Sequence, residues 1–203
     1  MKVVALLILV SLHAAASQSL VDPLAIEVTM PSREFSFTNK ESAFLYGETN
    51  SENRTSWQGF NVFGHEFLDD YLLVVDGVPL DRTLAKTTVY PDYLVREYPA
   101  GITEQVRPVD SLAAFGIIVT STKPIALQVR PVFTDGRTAD DYTIKSSDGD
   151  VLIAHKNHLS RTPQQNYPVW LALYANGSSP NTESLTRGNQ FSPVSLVCRK
   201  IKT

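Results

Sequence analysis

The 203-residue chain has a single cysteine, Cys198. An intramolecular disulfide and a zinc site built from several thiolates are therefore excluded. It has no phosphate-cradling loop, no dinucleotide glycine fingerprint and no G-x-S-x-G nucleophile turn. Acidic residues outnumber basic ones by 21 to 18, and no basic stripe exists to attract nucleic acid. Past the N-terminus, no apolar run approaches the roughly 20 residues that a bilayer span requires. Helical periodicity is also missing there over any stretch of about ten residues.

The N-terminus is different. Lys2 precedes the apolar run Val3–Val10, and small residues gather at Ala14-Ala15-Ala16-Ser17. A charged start, an apolar centre and a small-residue end are the three parts of a secretory signal. We expect a helical signal over residues 1–17, cleaved near Ala16 or Ser17, and a secreted or periplasmic product with no membrane contact afterwards. About 185 residues would remain, enough for one domain with its own core. The composition, 43% apolar and 19% charged, is that of a globular chain.

Strand signals fill the mature part. Glu34–Phe37, Ala43–Tyr46, Leu68–Asp76, Lys86–Tyr90, Tyr93–Tyr98, Ile102–Arg107, Phe115–Thr120 and Ile125–Phe133 are short apolar or alternating runs. Later candidates are Asp141–Lys145, Val151–His155 and Val169–Tyr174. Asp76-Gly77 signals a tight turn, and Pro99-Ala100-Gly101 should join Tyr93–Tyr98 and Ile102–Arg107 as a hairpin. Roughly ten strands at intervals of about 8–12 residues predict an all-β, antiparallel sandwich. The expected layout is a lead-in over 18–32, the sandwich over 33–175 and a polar tail over 176–203.

Few residues suggest chemistry. His155 and His158 stand three apart, which on a strand places them on opposite faces, so no metal and no cofactor is implied. Asp69 and Asp70 are neighbours and should diverge for the same reason. One would cap a turn before Tyr71 and the other would face water. Trp57 lies in Ser56-Trp57-Gln58-Gly59-Phe60-Asn61. A tryptophan there commonly closes the end of a sandwich core. If exposed, its ring could stack on a sugar while Gln58 and Asn61 bond hydroxyls, making the three a candidate ligand site. Trp170 should be core. Asn53-Arg54-Thr55 and Asn176-Gly177-Ser178 match the N-glycosylation sequon.

The order of several segments resembles a known family. Asn39–Glu48, Ser56–Asn61, Leu68–Tyr71, Val75–Gly77, Tyr90–Arg96 and Leu159–Trp170 are together similar to the N-terminal domain of bacterial glycogen-debranching-type proteins. These are amylo-α-1,6-glucosidase-like members of the six-hairpin glycosidases. The likeness spans roughly residues 33 to 175. It implies a β-sandwich that precedes a helical (α/α)6 barrel, and the barrel carries the catalytic carboxylates. No such barrel begins before Thr203, so no catalytic residue is carried over.

Three functions are therefore expected to compete. The first is a non-catalytic sandwich of a glycan-active enzyme, truncated or split from its barrel, with that helical-barrel glycosidase domain as partner. The second is an autonomous carbohydrate-binding module for an α-glucan, with Trp57, Tyr90 or Tyr93 as platform. The third is a small complete hydrolase using Asp69, Asp70 or Glu48.

Overall fold

The computed structural model describes residues 4–8, 24–39, 43–55, 57–63, 65–133, 142–146, 151–156, 169–175, 178–181 and 195–198. Among these the regular structure is almost entirely strand, and the strands form three sheets. Nearly all pairings are antiparallel, as the alternation predicts.

The largest sheet runs β16 (Ser178–Asn181), β17 (Ser195–Cys198), β12 (Leu127–Phe133), β6 (His65–Val75), β5 (Gly59–Val62), β4 (Ala43–Glu48), β3 (Glu34–Thr38). A two-residue β7 (Val78–Pro79) adds to β6. The turn between them uses Asp76 at φ 49° and Gly77 at φ 84°, the left-handed pair that a tight hairpin demands. The second sheet runs β11 (Phe115–Ser121), β10 (Ile102–Pro108), β9 (Leu94–Tyr98), β8 (Lys86–Val89), β2 (Ile26–Val28). The expected β9–β10 hairpin is present, with Tyr98 opposite Ile102.

These two sheets face each other. Phe60 of β5 meets Phe115 of β11 with ring centroids 5.0 Å apart, and Tyr71 of β6 lies 6.1 Å from the same ring. Leu94, Val106, Ile117 and Val119 from one sheet share a buried cluster with Leu73, Leu127 and Val129 from the other. Burying such side chains contributes about 1.5–3 kcal/mol each before conformational entropy is charged against it.

The third sheet runs β1 (Val4–Ile8), β15 (Val169–Ala175), β14 (Val151–Lys156), β13 (Tyr142–Ser146). Ala154, Leu171 and Leu173 join the common core. Here the structure departs from one expectation. Val4–Ile8 is not helical but a strand, parallel to β15 with Val4 opposite Leu171. An unbroken apolar run such as this satisfies a strand as readily as a helix, and periodicity cannot separate the two.

Two breaks in regularity meet at the middle of the largest sheet. The chain shifts register between Glu66 and Leu68 against β5 and between Leu68 and Asp70 against β12, so the predicted turn before Tyr71 is a bulge inside one long strand. Gly59 sits against that bulge at φ 117°. A Cβ there would lie 1.8 Å from the Leu68 carbonyl oxygen, so only glycine lets the two backbones approach.

Candidate functional site

The most unusual chemistry of this chain is inside it. On β9, Leu94, Arg96 and Tyr98 point inward, and on β10, Ile102, Glu104 and Val106 do the same. The hairpin register places Arg96 opposite Glu104. Their side chains are 2% and 0% exposed, and Arg96 Nη1 lies 3.0 Å from Glu104 Oε1. The Tyr98 hydroxyl donates to Glu104 Oε2 at 2.7 Å, and the Tyr71 hydroxyl donates to Oε1. Arg96 also donates from Nε to the Thr49 carbonyl at 2.7 Å and from Nη2 to the Glu48 carbonyl at 2.8 Å. One hairpin of the five-stranded sheet thus grips the exit of β4 in the opposing sheet.

A second pair adjoins the first. Asp81 accepts from the Thr83 amide and caps a short 3-10 turn, Arg82–Leu84. Arg82 Nη1 reaches both oxygens of Asp70 at 2.8 and 3.0 Å, and Nη2 donates to the Tyr71 carbonyl at 2.6 Å. The guanidinium carbon sits 4.7 Å from the centre of the Tyr71 ring.

Burial by itself would push the Glu104 carboxyl upward. The Arg96 and Arg82 guanidinium groups and the two tyrosine hydroxyls outweigh it and hold Glu104 below its ordinary value. Burial, reinforced by the Glu104 charge, pushes the Tyr71 and Tyr98 hydroxyls well above theirs. Glu104 is therefore a fixed anion and both tyrosines fixed donors at neutral pH. Three of the roughly four lone-pair sites of Glu104 are filled from within the chain, and its burial closes it to a substrate.

Asp70, Arg82, Arg96, Tyr71, Tyr46 and Asn53 line a narrow cavity whose interior admits about one water molecule. A pyranose ring does not fit. Asp70 and Glu48, two of the three hydrolase candidates, are both occupied. Asp70 holds Arg82. Glu48 accepts from Ser32 Oγ at 2.8 Å and from Gln58 Nε2 at 3.2 Å. The third, Asp69, has its backbone carbonyl bound by Asn53 Nδ2 at 2.6 Å.

The other candidate site is the β4–β5 loop. Trp57 does not close the core. It is 54% exposed, in the turn before β5, at a backbone φ of 73°. Gln58 and Asn61, expected beside it as ligand contacts, are buried. Gln58 Oε1 accepts from the Thr55 amide at 2.9 Å and from the Arg54 amide, while Asn61 Nδ2 donates to the Trp57 carbonyl at 3.0 Å. Of the three, only the indole meets solvent.

No protein family, curated protein or solved structure matches the chain.

Tyr90 and Tyr93, the other aromatic candidates, stack on each other at 4.3 Å and 15° across the β8–β9 turn. The Asn53 sequon is engaged: its Nδ2, the atom that glycosylation modifies, is the one bound to the Asp69 carbonyl, and its Oδ1 accepts from the Glu48 amide at 3.1 Å. His158, Asp140, Asp141 and Asn176 lie outside the described residues, as do the side chains of Trp170 and Cys198. Among the described residues no cluster of three or more His, Cys, Asp or Glu is placed to hold a metal.

Sequence reasoning did not single out Arg96, Glu104 or Arg82. The first two carried a usable signal. Each shares the parity of its apolar strand neighbours, and a three-residue turn makes them cross-strand partners.

Proposed function

We propose that this chain is a non-catalytic β-sandwich domain of a glycan-active protein of the glycogen-debranching type, working beside a helical-barrel glycosidase domain. The resemblance in segment order over roughly residues 33 to 175 supplies the family. The commitment of its buried acids supports the non-catalytic part. Hydrolysis of a glycoside needs two carboxyl groups about 5 to 10 Å apart with substrate between them. Glu104, Asp70 and Glu48 each accept from groups of the chain itself on both carboxylate oxygens. The cleft beside Asp70 has no room for a sugar.

The test is release of reducing sugar from maltooligosaccharides and glycogen by the purified chain. The expected rate is that of the buffer blank. Release that disappears in Asp70→Asn or Glu48→Gln would overturn the proposal.

A further inference from the structure

We infer that the β4–β5 loop is a sugar-binding site in which Trp57 stacks on a neutral pyranose ring. The inference rests on the proposed non-catalytic, glycan-active role and gives it a ligand class and a place.

The indole is held in water against its preferences. Bulky side chains avoid positive φ, and Trp57 adopts it at 73°. Such an outlier persists only where its surroundings fix it. Here they do. Asn61 holds the Trp57 carbonyl, and Gln58 Oε1 gathers the Arg54 and Thr55 amides. Gln58 is itself tied from Nε2 to Glu48 at 3.2 Å and to Glu34 at 3.4 Å. The two buried amides thus act as positioning residues, and the ring is what they position.

The loop's margin selects the ligand. A protein partner's anchor is ringed by further apolar contacts that exclude water. Among the described residues, Glu52, Arg54 and Thr55 of this loop are exposed beside Trp57, as is Glu34, which Gln58 bonds, and all four are polar. The Tyr46 hydroxyl, bonded to Glu34 and Thr55, adds another polar group. A flat apolar ring bordered by donors and acceptors suits a pyranose, which offers C–H groups on one face and hydroxyls at its edge. Charges of both signs stand at this margin, Glu34 and Glu52 with Arg54, and they favour a neutral sugar over a charged one.

The experiment is titration of the full chain with maltoheptaose and with cellohexaose, followed by tryptophan emission and by saturation-transfer NMR. Wild type should bind at least one with a dissociation constant on the order of 1 mM. Trp57→Ala should weaken that at least about tenfold and Trp57→Phe by less, since a smaller ring still stacks. Trp57→Gly accepts the positive φ, so it reports the loss of the ring on a folded chain. Tyr93→Ala should bind as wild type. No binding of either sugar, or binding that survives in Trp57→Gly, overturns the inference. Sugar release by the chain would defeat the non-catalytic reading while leaving a stacking result intact, so the two failures are distinguishable.

Discussion

Arg96 and Glu104 face each other across one hairpin, fully buried and 3.0 Å apart, against the aliphatic and aromatic side chains of the core. Ion pairs so placed lose hydration that their attraction only partly returns. What makes this one tenable is saturation. Both Glu104 oxygens and three Arg96 nitrogens have partners within the chain. The pair therefore specifies which hairpin meets which end of β4 more than it adds stability.

The stability of the fold should depend on pH through this network. Glu104 has its pKa held below the ordinary 4.5. Its contribution is fully present above that value and is lost as pH falls through the lower, folded one. Tyr71 and Tyr98 are shifted above 10.0, so their contribution is present below that value and is lost as pH rises beyond it. Denaturant midpoints should be flat between these limits and fall on both sides. The acid-side fall should be shallower in Glu104→Gln. An identical acid slope in the two proteins would show that Glu104 is not the group responsible.

Tyr98→Phe isolates one hydrogen bond to the buried anion without changing shape. Bonds to charged groups contribute about 1.5–3 kcal/mol, so a loss of that size in guanidinium unfolding is expected. A change within error would mean that Glu104 does not depend on this donor.

Gly59→Ala tests the contact between β5 and the β6 bulge. The added Cβ would strike the Leu68 carbonyl at 1.8 Å on a backbone at φ 117°. We expect a loss of about 3 kcal/mol or more, read from thermal unfolding or from failure to accumulate in soluble form. A variant as stable as wild type would contradict the described path of these strands.

Gln58→Ala should loosen the Trp57 loop while sparing the core. The Arg54 and Thr55 amides would lose their shared acceptor, and their hydrogen exchange should accelerate by about tenfold or more. Exchange in β9 and β10 should be unchanged. Equal acceleration everywhere would indicate a global effect.

How far the sequence reached depends on the range of each interaction. The β9–β10 hairpin and the apolar strands were legible because alternation and turn residues are local signals. The Arg96–Glu104 pair was visible in the same hairpin arithmetic, though a charged residue on a strand is ordinarily assigned to the solvent face. Asp70 was not legible. Its partner Arg82 arrives from the crossover between two sheets, which no local pattern encodes. Trp57 could not be placed either, because its loop is held by Gln58 and Asn61 side chains that no periodic pattern encodes. The segment Val4–Ile8 shows the limit of periodicity: its apolar run fits strand and helix alike, and it takes its strand form beside β15.

The central claim is that the buried charges serve structure. A double-mutant cycle on Arg96→Met and Glu104→Gln tests it most directly. Each single change leaves one buried charge unpaired and should cost about 3–5 kcal/mol in unfolding free energy. The double variant leaves no lone charge, and its new amide still accepts from one tyrosine hydroxyl while donating to the other, so it should be less destabilised than the sum by at least about 2 kcal/mol. Strict additivity, or single variants as stable as wild type, would contradict it.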